Sequence, residues 1–354
     1  MMTATTKAVT TANRSAGGLA GAVGAFLHSR WIGPIGLFVG LAGPLIIATP
    51  YAMNVMTGSL IFVMLAVGLN IVVGQCGLLD LGYAAFFAVG AYVSGVLSTR
   101  LHWPLLATVP FVVITTVVAG IVIGGPTLRL RSDYLAIVTL GFGEIIRITA
   151  NNISVTGGPE GIYGIPSLSV GGVDLSGSIT FYYVVLGVVA AAVLGANRLI
   201  RSRLGRAWRF IREDEDAAEA MGVHTYRVKL AAYIAGAVWG GLAGVLFAAQ
   251  LSAISPASFT FLQSALVLMA VVLGGMGSTP GVVLGAVFVS VLPEVLRSFA
   301  DYRYFVFGVL LIVVMVLRPQ GLWPARTREP DRTARRSPAG VQAGVESEGE
   351  VSVP

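Results

Sequence analysis

VMTGSLIFVMLAVGLNIVV, residues 55–73, runs for nineteen positions without a charged side chain. An apolar stretch of that length is about what an α-helix needs to cross the hydrocarbon of a bilayer, roughly 20 residues. Working outward, comparable stretches recur at 32–50, 82–99, 104–124, 134–149, 179–198, 229–250, 259–275, 281–296 and 304–317. Several are shorter than a full span and interrupted by glycine, the pattern of membrane helices that break or re-enter. The pattern therefore predicts an all-α, polytopic transmembrane bundle of about ten segments, some broken or re-entrant. A β-barrel would show short alternating segments instead.

Composition agrees. The 354 residues are 55% hydrophobic and only 11% charged, with a mean hydropathy of +0.82. Soluble domains carry about 25% charged residues, so this chain has too little polar material to cover a water-facing surface. Its 45 glycines and 16 prolines suit helices in lipid, where both are commoner than in water. The net charge of +6 does not indicate nucleic acid, because the basic residues cluster between and after apolar segments as the positive-inside rule requires. The lone Cys76 excludes a disulfide framework. His28, His102 and His224 lie near expected membrane boundaries without clustering, so no metal site, catalytic group or cofactor is expected.

The arginines set the orientation. With the N-terminus inside, ten crossings place Arg129, Arg131, the stretch 198–229 and the tail from Arg318 on the cytoplasmic side. Arg100, Arg147, Arg297 and Arg303 fall near the outer face. Both termini are thus expected in the cytoplasm. Residues 1–30 read as a cytoplasmic leader, 31–323 as the membrane domain and 324–354 as a disordered tail with little to bury. Residues 150–177 form an external loop and 199–228 the largest internal one.

That internal loop holds Gly205-Arg206-Ala207-Trp208-Arg209-Phe210-Ile211-Arg212-Glu213-Asp214-Glu215-Asp216-Ala217-Ala218-Glu219-Ala220-Met221-Gly222. Four acids, Glu213 to Asp216, open a short helix where they complement the positive end of its dipole. Ala217, Ala218 and Met221 are expected on one face, with Gly222 as the C-terminal stop. A compact charged helix of this kind suits docking into a groove of a cytoplasmic partner. An amphipathic helix lying on the membrane is the alternative, but an anionic surface would repel the clustered acids.

Asp216-Ala217-Ala218, followed after three intervening residues by Gly222, resembles the E-A-A-x-x-x-G signature of ATP-binding-cassette importer permeases. Asp216 stands where the signature has Glu, and its downstream part does not match. Further stretches resemble the branched-chain amino acid permease family, in particular its M-type subunit. They are Gly68-Leu69-Asn70, Gly77-Leu78-Leu79-Asp80-Leu81-Gly82-Tyr83-Ala84-Ala85-Phe86, residues 128–147, Thr156–Ile162, Gly274–Gly281 and Arg318-Pro319-Gln320-Gly321-Leu322. The resemblance covers roughly residues 45–323. It implies a bacterial inner-membrane permease and contact of Glu213, Asp214, Asp216, Ala217, Ala218, Met221 and Gly222 with an ATPase. The implied partners are a second homologous permease subunit, two cytoplasmic ATPase subunits and an extracytoplasmic binding protein. The chain itself has only two lysines, Lys7 and Lys229, neither in the glycine-rich loop that cradles phosphates. Gly141-Phe142-Gly143 lacks the third glycine of a dinucleotide site. ATP hydrolysis is therefore expected elsewhere.

Gly74-Gln75-Cys76-Gly77 and Gly274-Gly275-Met276-Gly277 repeat a G-x-x-G pattern after an apolar run, as paired breaks flanking a transport path do. Coincidence in a glycine-rich chain is the alternative. Asn70, Gln75 and Asp80 sit near the first break, placed to satisfy backbone groups that it frees. Glu144 and Arg147 lie one turn apart inside an apolar segment. Each would cost about 2.5–3.5 kcal/mol if stranded at the bilayer centre, so pairing at i,i+3 is expected. These residues, with Gly274 and Gly277, are the candidates for a pathway or gate. On the outer side, Thr156, Gly157, Gly158 and Glu160 form a compact turn suited to receiving the binding protein. Glycines spaced by four, such as Gly120/Gly124 and Gly236/Gly240/Gly244, read as close helix packing.

The function expected is import of branched-chain or related amino acids; another small solute (urea, an amide or a sugar) is the nearest alternative. An ion-coupled secondary transporter would need more buried carboxylates. A membrane-anchored enzyme would need a cluster of His, Asp or Glu that the sequence lacks.

Overall fold

A computed structural model describes residues 40–41, 49–129, 132–170, 173–175 and 177–296, with scattered positions from 302 to 323. Most of the expected first segment (32–50), half of the last (304–317), the leader and the tail lie outside the described residues.

The stretch 55–73 lies within one long helix. Helix α1 (Pro50–Leu69) starts where the Thr49 side chain accepts the Ala52 amide, with proline at its first turn. Proline is tolerated there because the missing N–H would be unpaired anyway. The helix then widens into a π-helical stretch, Asn70–Gln75. Its residues from Ile61 to Cys76 are buried on every side, as a helix without a polar face must be, and this part of α1 lies in the interior of the bundle.

The other long helices are α2 (Ala84–Arg100), α3 (Leu105–Thr127), α4 (Ser132–Asn152), α5 (Ser178–Arg201), α8 (Thr225–Leu251), α9 (Phe261–Gly274) and α10 (Thr279–Val295). Helices α5, α8, α9 and α10 pack against α1, while α2 and α3 pack chiefly on α8. Two short helices, α6 (Arg203–Glu213) and α7 (Glu215–Ala220), fill the stretch between α5 and α8. The architecture is thus all-α. The exceptions are short strand pairs, β1 (Ile162–Tyr163) with β4 (Ala253–Ile254) and β2 (Ser169–Val170) with β3 (Val173–Asp174), at the end of the bundle opposite α6 and α7.

Among the described residues, five segments are long and apolar enough to cross a membrane: Pro50–Gln75, Leu105–Thr127, Ser178–Arg201, Thr225–Leu251 and Pro256–Gly274. Helices α2 and α10 have only 17 residues each, and α4 carries Glu144 and Arg147 in its middle. Two of the short expected segments, 82–99 and 281–296, thus correspond to short helices.

Small residues let the backbones meet. A Cβ at Gly90 of α2 would lie 2.0 Å from the Gly241 carbonyl oxygen of α8, and one at Gly244 would lie 2.3 Å from that of Phe87. One at Gly285 would lie 2.3 Å from the Ala270 carbonyl, which closes α9 and α10 into a tight hairpin. In contrast, α3 and α5 expose large apolar side chains, among them Ile114, Val118, Val122, Ile179 and Leu194. Such faces suit lipid or another apolar partner.

Candidate functional site

The two G-x-x-G breaks meet. Widening the end of α1 into a π-helical turn carries Asn70 and Gln75 toward the α9–α10 connection, where Asn70 Oδ1 accepts the Gly277 amide at 2.9 Å. Gln75 Nε2 donates to the Gly277 carbonyl at 2.7 Å. Both backbone groups of one glycine are thus gripped by two side chains of the opposite break. Gly74 sits against the clamp so closely that a Cβ would fall 1.9 Å from Asn70 Oδ1 and 2.6 Å from Gly277 N. Gly77, Gly275 and Gly277 have φ of 76°, 110° and 87°, a region that L side chains resist.

A third segment closes on the same place. The Leu322 amide donates to the Leu273 carbonyl at 2.7 Å and that of Trp323 to Gly274 at 3.0 Å. Both carbonyls would otherwise be orphaned at the end of α9. Gly274 and Gly281 touch backbone to backbone.

The connection from α1 to α2 is held by side chains of three elements. Asp80 Oδ1 accepts the Gly82 amide at 2.9 Å, Thr139 Oγ1 of α4 accepts that of Leu81, and Ser264 Oγ of α9 caps α2 at Ala84. Asp80 therefore stabilises its own turn, away from the Gly277 clamp. Glu144 and Arg147 form the expected pair along α4, at 2.8 Å. They are only part-buried, and the structure places them on a different helix from the clamp.

The region around α7 departs from expectation in three ways. Glu213 ends α6; Asp214 is the N-cap of α7, its carboxylate accepting the Ala217 amide at 2.9 Å, so only Glu215 and Asp216 occupy the first turn. Ala217, Ala218 and Met221 do not share a face. Ala218 is 0% exposed within its own chain, while Ala217 is exposed and Met221 is 76% exposed. A six-residue helix has too few turns for its buried side to be read from spacing, and the packing of α6 and α8 decides it. The third departure is an ion pair between Glu215 and Lys229 of α8. Lys229 is only 7% exposed, and a lysine that deep needs a partner. Gly222 does take the left-handed conformation, at φ 83°.

Two further residues join this region to the bundle. Trp208 of α6 is fully buried and its Nε1 donates to the Val228 carbonyl at 2.8 Å. The Arg212 guanidinium donates to the Gly74 carbonyl of the first break. Sequence reasoning passed over both. The signal for α6 was present, however: Gly205, Trp208 and Ile211 recur at helical spacing, and all three are buried.

At the opposite end Thr156 Oγ1 donates locally, to the Ala150 and Ile153 carbonyls. Gly157 and Gly158 have φ of 80° and 60°. A Cβ at Gly157 would strike the Gly161 carbonyl at 1.8 Å. The turn is tight, leaves Glu160 exposed, and leads directly into the β1–β4 pair.

The family profile described as branched-chain amino acid transport system, permease component, matches residues 51–315. The chain belongs to that family. A protein of Salmonella typhimurium named high-affinity branched-chain amino acid transport system permease protein LivM is 41% identical over 312 residues, covering 81% of this chain and 73% of its own. The LivM protein of Escherichia coli K12 is 42% identical over 295 residues, 77% and 69% of the two chains. LivH of Salmonella typhimurium, named as a permease protein of the same kind of system, is 27% identical over 283 residues. No solved structure matches. As a branched-chain amino acid permease, the chain is a multi-pass membrane protein whose task is passage of a solute.

Proposed function

We propose that this permease forms half of the translocation pathway of an ATP-driven importer for branched-chain amino acids in a bacterial inner membrane. Its partners are a second, homologous permease subunit, two ATPase subunits and an extracytoplasmic binding protein. The observation that carries this reading is the meeting of the two glycine breaks at Gly277. Two helices interrupted at the same place supply a constriction that can open without dismantling the bundle. Asn70 Nδ2 is buried there without a hydrogen-bond partner among the described residues. An unpaired buried donor is costly and calls for an explanation; a clamp that must release is one.

On this reading α6, α7 and the 150–177 region face opposite sides of the membrane, with α6 and α7 in the cytoplasm together with both termini. The exposed side of α7, carrying Asp216, Ala217 and Met221, docks on the ATPase, and its acids offer charge that the partner's basic groups can meet. The tight turn at Thr156–Glu160 receives the binding protein. ATP-driven movement at α7 then alternates the clamp between closed and open, and Glu144 with Arg147 lines the approach.

The test is uptake of labelled leucine, isoleucine and valine in cells lacking their own importers, with this chain expressed beside its four partner components. Uptake should require ATP and survive collapse of the proton gradient. Uptake that follows the proton gradient, or that accepts urea or sugars but no aliphatic amino acid, would overturn the reading.

A further inference from the structure

Arg212 occupies a position that none of the expectations above covers. It is on α6, yet its guanidinium donates to the carbonyl of Gly74, inside the first break. That carbonyl belongs to the last turn of the α1 extension, where no further helical turn supplies donors. A cation is also favoured there by the helix dipole. A second observation is independent of the hydrogen bond. Gly77 approaches the stem of the same arginine, and a Cβ at that position would lie 3.0 Å from Arg212 Cγ and 3.6 Å from its Cα. The break is thus shaped around this side chain.

Its other end is fixed. Trp208 and Ile211 bury α6 against the bundle, Trp208 holds the Val228 carbonyl, and Glu215 of the next helix pairs with Lys229. Helices α6 and α7 and the start of α8 are therefore tied together as one block. Gly74 is followed directly by Gln75, whose amide grips Gly277. A contiguous chain of contacts runs from α7 through Arg212 and Gly74 to the clamp.

We propose that Arg212 is a positioning residue that holds the paired breaks closed and conveys movement of the α6–α7 block to the Asn70–Gln75–Gly277 clamp. Its part in transport rests on the importer reading, but its part in closure does not. When the block shifts, the guanidinium leaves the Gly74 carbonyl, the end of α1 is uncapped, and Gln75 loses its register on Gly277.

The chain carries its own reporter. Cys76, its single cysteine, follows Gln75 and is buried. The rate at which a membrane-permeant maleimide alkylates Cys76 in native membranes therefore reads how often the break opens. Arg212→Ala should raise that rate by on the order of tenfold, the effect expected when one hydrogen bond to a charged group is lost from a closed state. Arg212→Lys, which keeps a cation able to reach the carbonyl, should restore most of the slow rate. Arg209→Ala, on the same helix, should leave it unchanged. Should Arg212→Ala fail to accumulate, Arg212→Gln serves in its place. Equal Cys76 rates in wild type and the Arg212 variants would overturn the proposal, and so would an equal rise in Arg209→Ala. Coupling is read separately, as leucine imported per ATP hydrolysed, which should fall in Arg212→Ala. If wild type imports no leucine, the importer reading fails while the alkylation result still decides the role of Arg212 in closure.

Discussion

The amide of Gly277 donates to Asn70 Oδ1 at 2.9 Å, across 207 positions of sequence. With Gln75 on the Gly277 carbonyl, it joins the end of α1 to the α9–α10 hairpin. A hydrogen bond of this kind contributes about 0.5–1.5 kcal/mol, but leaving a buried partner unpaired costs about 1–3 kcal/mol. The contact is therefore easier to keep than to lose, unless something pulls on it.

Gly74→Ala should be poorly tolerated. Its methyl would meet Asn70 Oδ1 at 1.9 Å and the Gly277 amide at 2.6 Å, so the clamp must separate. Gly187→Ala is the control, because a Cβ there meets nothing within 4 Å. We expect a loss of about 1–3 kcal/mol, as for other overpacked sites, for Gly74→Ala alone. Thermal unfolding of purified protein compares the two; equal midpoints would show that the clamp yields.

Glu215→Gln should destabilise the α6–α7 region by stranding Lys229. Removing one partner of a fully buried pair costs about 3–5 kcal/mol, but Glu215 is half exposed, so about 1–2 kcal/mol is expected here. The double variant Glu215→Gln with Lys229→Met should recover most of the loss. Proteolysis of the 203–222 segment in membranes measures this, and a double variant no better than the single would argue against the pair.

Ala218→Trp and Met221→Asp should separate folding from docking. Ala218 is enclosed by its own chain, so the indole has to displace α7, and membrane abundance should fall. Met221 lies on the free side of α7. Met221→Asp should leave abundance unchanged while reducing co-purification of ATPase subunits. Normal ATPase recovery with Met221→Asp would remove this side of α7 from the interface.

At the other end, Glu160→Lys tests docking of the binding protein better than changes at Gly157, where any Cβ collides with Gly161. Saturating binding protein should overcome a raised half-saturation in Glu160→Lys, with the maximal rate preserved. In a Cys76→Ala background, a cysteine at position 160 should react with an impermeant maleimide added outside intact cells. One at position 214 should not, and labelling there would reverse the orientation.

Much of this protein was determined locally and so could be read from the sequence. Long charge-free runs such as 55–73 dictate helices in lipid, because water cannot satisfy a backbone there. The glycines at 74, 77, 274 and 277 mark where those helices break. Glu144 and Arg147 were legible as a pair because three residues on one helix fix their separation. Gly222 was legible as a stop because only its own backbone is involved.

The tertiary structure alone decided which distant groups meet. Nothing in the spacing of Asn70, Gln75 and Gly277 assigns them to one another; the packing of α1 on the α9–α10 hairpin does. Local pattern put Ala217, Ala218 and Met221 on one face, wrongly, because a helix of six residues completes fewer than two turns and spacing cannot fix its buried side. Docking on α8 buried Ala218 and freed Met221. Lys229 read as one more basic residue at the start of a span, and Arg212 as one arginine among several on α6. Lys229 acquired Glu215 only when the folded bundle removed the water that would otherwise have satisfied its charge, and Arg212, which stays exposed, reaches the Gly74 carbonyl only because the packing of α6 brings it there.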